Sequence, residues 1–194
     1  MKVWLVCIVA VFSLVAVIAG YAAGTGSSGS NIPNIVLIYN GPSIPNTHAA
    51  PNTPAFTSWC ALNGPCSPSV NLPVYDASTG QLEGSIYVWT KNFTFSGDGK
   101  SECFGEFVWF ALNGGDIYTD SGGNGTCGGA IDGSLKQPTH ITGPGVVIAG
   151  GGDGTIVGGT GRFAKWTGTY TDRVFVEVGG SNYYDQLFWS ISRS

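Results

Sequence analysis

Charge, histidine and methionine are scarce in this 194-residue sequence. Lys, Arg, Asp and Glu together make up 10% of it, against a usual ~25%. The eight basic residues form no cluster, which excludes nucleic acid and anionic lipid as natural partners. Only two histidines occur, His48 and His140, and neither has an acid or cysteine beside it in sequence that would suggest a triad or a metal site. Both are expected in exposed loops. Of the five cysteines Cys7 lies in the apolar N-terminal run; the others, Cys60, Cys66, Cys103 and Cys127, are separated by 6, 37 and 24 positions, so the close cysteine pairs of zinc sites are missing. After residue 24 no window carries apolar residues at helical spacing, which argues against a helical protein.

Two apparent motifs fail for lack of context. Gly159-x-Gly161-x-x-Ala164 fits a dinucleotide fingerprint, but strand-forming residues follow it where a helix is required. Gly150-Gly-Gly-Asp-Gly154 resembles a calcium-binding repeat but occurs once, without stacked neighbours. No metal and no cofactor is expected.

What the chain does have is glycine, 31 residues of it, and 12% aromatics. Its first 24 residues read as a signal peptide: Lys2, an apolar run from Val3 to Ala19, then small residues up to Gly24. At ~1.5 Å per residue the run spans roughly 26 Å, short of a ~30 Å hydrocarbon core, so cleavage and no stable membrane insertion are expected. The mature chain is then secreted. Without Lys2, seven basic residues face twelve acidic ones, a net charge of −5. In an exported chain four cysteines suggest disulfides. Three pairings exist, of which Cys60–Cys66 and Cys103–Cys127 are favoured. Asn92 and Asn124 open glycosylation sequons.

Three segments follow: a signal peptide over 1–24, a Gly/Ser linker and Pro-rich arm over 25–71, and a barrel over 72–194. In the arm, recurring prolines argue against any helix and leave one or two edge strands. Strands are expected at Leu72–Asp76, Gln81–Phe95, Ser101–Leu112 and Asp116–Thr119, with Gly122–Gly129 as loop. Ile131–Thr142 is short and polar. Val146–Ala149 and Thr155–Val157 flank glycines, and Phe163–Thr171, Arg173–Val178 and Tyr183–Ile191 complete the set. Gly158, Gly159 and Gly161 look like a hairpin turn. About eight strands in a meander make an all-β, eight-stranded antiparallel up-and-down barrel the economical fold, since closure removes exposed edges. The long strands are apolar on both faces, so the outer face needs a cover: the N-terminal arm or another subunit. A homotrimer or homodimer is expected on that ground.

Val74-Tyr-Asp76, Gly80, Gly84, Cys103, Gly115-Asp-Ile117 and above all Ile156-Val-Gly-Gly-Thr-Gly-Arg-Phe-Ala164 resemble the allene oxide cyclase and dirigent superfamily. The resemblance covers about Leu72–Ser194. It implies an eight-stranded, often trimeric barrel with an apolar cavity, acting on hydrophobic small molecules by cyclisation or by stereoselective coupling. Gly150–Gly154 stands where dirigent proteins carry an arginine, and no catalytic residue is carried across.

Candidate residues follow from strand alternation. If Asn92 carries a glycan, the odd set of its strand faces inward and brings Tyr87 and Trp89 to the cavity. Trp109, Trp166 and Tyr170 are the further candidate ligand contacts. Glu83 and Glu106 are the candidate acids or bases, through the raised pKa that an apolar wall imposes. Asp172-Arg173 reads as a turn or a surface pair. The expected function is binding of an apolar small molecule, with a cyclase or stereo-directing role. The alternatives are a non-catalytic extracellular module whose barrel is filled by its own aromatics, and a glycan-binding protein using exposed Trp and Tyr.

Overall fold

Alternating burial along the strands turns one face of a single sheet inward until the sheet closes on itself. The computed structural model describes residues 35–62, 66–95, 101–122, 125–130, 146–179 and 182–194. Its strands are β1 (Ile35–Pro42), β2 (Ser67–Asp76), β3 (Leu82–Phe95), β4 (Ser101–Leu112), β5 (Gly115–Asp120), β6 (Thr126–Ala130), β7 (Val146–Gly159), β8 (Gly168–Gly179) and β9 (Asn182–Arg193). All pairings are antiparallel. The order β3-β2-β1-β9-β8-β7-β5-β4 closes through β3–β4 into an eight-stranded barrel. β6 continues the stave begun by β5, pairing with both β4 and β7.

Side chains fill the middle of the barrel. Ile86, Val108, Phe110, Ile117 and Ile191 are wholly inaccessible to water, and Trp189 nearly so. One end is shut by a 3₁₀ turn, Gly161–Phe163, which buries Phe163 beneath Trp166 in an edge-to-face contact at 4.9 Å. Gly161 sits at φ 53°, and any side chain there would collide with the Gly114 carbonyl. The glycine block is therefore a 3₁₀ plug at the barrel's end, where the sequence suggested a hairpin turn, and β8 starts only at Gly168.

The outer face of β3, β4 and β5 is covered by the chain's own N-terminal part. Contrary to the sequence expectation, that part contains a helix, α1 (Pro54–Ala61). Pro54 occupies the first turn, where no helical N–H is needed, and the Thr53 hydroxyl accepts the Phe56 N–H at 3.2 Å. Proline starts this helix instead of breaking it. Phe56 and Trp59 of α1 pack onto Trp89, Phe107 and Tyr118. The Cys60–Cys66 disulfide ties the helix to the start of β2. Before the helix, the His48 ring lies 4.2 Å from Tyr87 and 5.1 Å from Trp109. β1 is a full stave between β2 and β9, not an edge strand.

Further departures concern continuity. β7 runs unbroken through Gly150–Gly154, β8 runs unbroken through Asp172-Arg173, and Thr126–Ala130 is strand where loop was expected. The segment Ile131–Thr142, His140, Asn124 and residues 1–31 lie outside the described residues. Among the described residues no helix is long and apolar enough to cross a membrane.

Lys91 locks the helix to the barrel. It is buried on the outer face, with Nζ 4.1 Å above the Trp59 ring. It donates to the carbonyl oxygens of Trp59 and, at 3.0 Å, Leu62. A cation at these last carbonyls satisfies acceptors that the helix leaves free. Burial lowers its pKa from the usual lysine value, and Asp120 opposes that shift. Lys91→Met should therefore cost about 1–3 kcal/mol, because the Leu62 carbonyl loses its lysine donor and the Trp59 carbonyl keeps only the Leu62 N–H. Urea unfolding measures this, and an unchanged midpoint would contradict the role given to Lys91.

Candidate functional site

Among the described residues, buried polar side chains gather away from the 3₁₀ plug. On β4, Glu106 shares the inward face with Val108 and Phe110; on β8, Asp172 shares it with Tyr170. All three are buried, at 5%, 3% and 0% exposure respectively. Thr126 of β6 donates its hydroxyl to Glu106 Oε2 at 3.2 Å. Asp172 Oδ1 accepts the backbone N–H of Gly152 on the neighbouring β7. The Tyr170 hydroxyl faces the Ser121 and Thr119 side chains and lies within the field of both carboxylates.

Glycine makes room for this arrangement. Gly152 and Gly154 face inward on β7. A methyl group on Gly152 would collide with Thr126, and one on Gly154 with the Tyr170 ring and the Asp120 carbonyl. The glycine stretch thus admits the tyrosine and the threonine that complete the acid cluster.

A bulge in β3 shapes the rim. Between Lys91 and Thr94 the β3–β4 register slips, and Asn92 takes φ 56°, a conformation asparagine tolerates better than most residues. Phe93 there meets Phe104, which shares the inward face of β4 with Glu106; the ring centroids are 5.1 Å apart. Phe93 is 48% exposed.

Two carboxylates buried on one inward face do not both ionise readily. Burial, and then the charge on Asp172, hold Glu106 well above the usual carboxylate range, against the lowering effect of the Thr126 hydroxyl. Burial pushes Asp172 up to about 6 although the Gly152 N–H and the Arg173 guanidinium act to lower it. Burial and both acids raise Tyr170. Both shifts favour the protonated acids, Glu106 more strongly than Asp172.

The structure separates the residues named from sequence. Glu106 and Tyr170 come together in the acid cluster. Tyr87, Trp89 and Trp109 stand on the outer face, because the even set of β3 (Ile86, Val88, Thr90) fills the interior and the odd set meets the arm. This reverses the inward assignment of the odd set, and Asn92 lies in the bulge where alternation breaks. The Trp109 indole donates to Asp116 Oδ1 at 2.9 Å. Trp166 belongs to the plugged end. Glu83 also lies away from the cluster, half-buried, with Oε2 3.9 Å from the Arg162 guanidinium. The disulfides are Cys60–Cys66 and Cys103–Cys127, the latter joining β4 to β6 on directly opposed residues.

Asp172, Thr126 and the Phe93–Phe104 pair were missed. The signal for Asp172 was alternation: Tyr170, Asp172 and Val174 share a face once β8 is read as one strand. Among the described residues no three His, Cys, Asp or Glu side chains converge as metal ligands. The chain matches no family model, no curated protein and no solved structure.

Raised folded-state pKa values make these acids stabilising only while protonated. The unfolded chain releases their protons near the ordinary values of 4.5 and 3.8, whereas the folded chain keeps them to higher pH. Stability therefore falls as pH rises from about 4 through 6 and on toward the Glu106 midpoint, by up to ~1.4 kcal/mol per pH unit per proton. Melting temperature should drop from pH 5 to pH 8, and Glu106→Gln should flatten that drop. A wild-type melting temperature rising over this range would contradict the acid pair.

Proposed function

We propose that the chain is a secreted barrel of the dirigent and allene oxide cyclase type that takes an apolar small molecule at the Phe93–Phe104 rim. In this reading Glu106 serves the molecule's cyclisation or coupling as acid and base. The observation that carries it is a pair of carboxyl groups, Glu106 and Asp172, buried on the inward face of a closed barrel that carries an exposed aromatic residue, Phe93, against Phe104. In cyclisation Glu106 gives its proton to an oxygen of the bound molecule and takes back the proton that the same molecule loses as its new ring bond forms, so no net proton is consumed and the reaction is an isomerisation. Asp172 keeps the proton on Glu106 between turnovers. The aromatic rim orients the apolar body, which is where steric direction arises.

One observation favours a second reading. Ile86, Phe110, Tyr170 and Ile191 have no accessible surface at all, so the middle of the barrel has no room beside them for even a water molecule. A non-catalytic extracellular module, filled by its own side chains, would look the same in that region. The acid pair argues for the first reading, because a filler position has no need of two buried carboxylates that cost stability.

Incubation with a panel of apolar terpenoid and phenolic compounds, read by thermal shift and by chiral product analysis, distinguishes them. The first reading expects a stabilising ligand and a product ratio that Glu106→Gln slows by about 10²–10⁴-fold. No thermal shift with any compound, together with a Glu106→Gln variant that is merely more stable, would leave the filled module.

A further inference from the structure

We propose that α1 is a redox-released strap: reduction of Cys60–Cys66 lifts the helix off the barrel and bares the aromatic layer beneath it, while the barrel stays folded.

That layer depends on its cover. Trp89, Phe107 and Tyr118 stand on the outer face of β3, β4 and β5, yet none is more than 7% exposed. Phe56 and Trp59 of α1 shield them, with the Phe56 ring 5.1 Å from both Trp89 and Phe107. A helix of 8 residues does not hold its shape alone in water. It persists only while it is fastened.

The fasteners converge on its last turn. Cys60 is bonded to Cys66, the residue before β2. Lys91 donates to the carbonyls of Trp59 and Leu62, which lie on either side of Cys60 in the chain. The disulfide thus fixes the acceptors that Lys91 needs. Once the bond opens and the turn frays, Lys91 is left as a buried cation without acceptors, a state that exposure to water relieves. The Trp59 indole N–H adds an independent push, because in the docked helix it is buried without a hydrogen-bond partner. Aromatic burial and the disulfide favour the docked state; solvation of Lys91 and of the Trp59 indole favours release.

The second disulfide does not act this way. Cys103 and Cys127 are directly opposed on β4 and β6, inside a ladder that runs from Ser101 opposite Gly129 to Phe104 opposite Thr126. That ladder holds the two residues together whether or not their sulfurs are bonded. Cys60 lies in a helix and Cys66 ahead of a strand, so no ladder holds them, and both are half-buried, within reach of a small thiol.

A dithiol supplies the two electrons. Its thiolate attacks one sulfur of Cys60–Cys66, the S–S bond breaks, and a mixed disulfide forms. The reductant's second thiol then displaces the protein sulfur. The protein ends with two thiols and the reductant with one disulfide, and excess oxidised dithiol drives the exchange back.

Dithiothreitol is the probe, read by hydrogen exchange, by fluorescence of an anilinonaphthalenesulfonate dye, and by alkylation mapping of the opened bond. With Cys60–Cys66 open, the α1 amides should exchange about tenfold faster or more, while β3, β4 and β8 keep their protection. Dye fluorescence should rise, and oxidised dithiothreitol should reverse every change. Cys60→Ser/Cys66→Ser should show the released helix without reductant, and Cys103→Ser/Cys127→Ser should keep it docked until dithiothreitol is added. Lys91→Met should speed α1 exchange about tenfold in the oxidised protein and hardly at all in the Cys60→Ser/Cys66→Ser background, because the two fasteners act together. The wild-type measurement decides even if a variant fails to fold. Protection of α1 that survives the opening of Cys60–Cys66 would overturn the proposal, as would loss of protection in all strands together. A folded protein in which dithiothreitol leaves Cys60–Cys66 intact would overturn it too.

Discussion

Two carboxyl groups buried on the inward face of a closed barrel set the terms for the rest of this structure. Neither can ionise without desolvation cost, and both ionising together adds repulsion in a medium that screens poorly. A proton on one of them relieves the repulsion, while the Gly152 N–H favours charge on Asp172 and the Thr126 hydroxyl favours charge on Glu106. The cluster can exist only because β7 offers glycine at 152 and 154, leaving space for Thr126 and Tyr170. Moving Asp172 from 3.8 to about 6 corresponds to roughly 3 kcal/mol against its charged form. That is a large share of the ~5–15 kcal/mol that holds a domain folded.

The barrel absorbs this cost by dividing its labour along the axis. The plugged end and middle are apolar and filled, from Phe163 up through Trp189 and Phe110. The acids occupy the other end, where β6 and the β3 bulge re-aim side chains. The outside has its own apolar layer, Trp89, Phe107 and Tyr118, which would be exposed without α1. Lys91 and the Cys60–Cys66 disulfide hold that helix in place, so the N-terminal segment is part of the folded body.

Much of the scaffold was legible in the sequence, and the reasons for the failures are physical. About eight strands in a meander pointed to a closed sheet, and the signal-like N-terminal run made disulfides a natural expectation. Strands β3 and β4 are apolar on both faces, however, so alternation alone could not say which face was inside. Pro54 misled because proline breaks helices only in their interior, and Thr53 supplies a cap that starts one. Asp172 was read as a turn because Asp-Arg is a polar interruption between two apolar runs. Its true partners, Gly152 across the β7–β8 ladder and Glu106 across the interior, are distant in sequence. Glu106 itself was nameable as a carboxylate beside an apolar wall. The acid that raises it further becomes visible only when the barrel closes.

The account stands on Glu106 being a carboxylic acid in the folded protein at neutral pH. Infrared difference spectroscopy of wild type against Glu106→Gln at pH 7, in heavy water, reads this directly. A protonated-carboxyl C=O band in the wild type that the variant lacks, disappearing only well above the usual carboxylate range, is the predicted result. A carboxylate band for Glu106 at pH 7, with an ordinary titration midpoint, would contradict it.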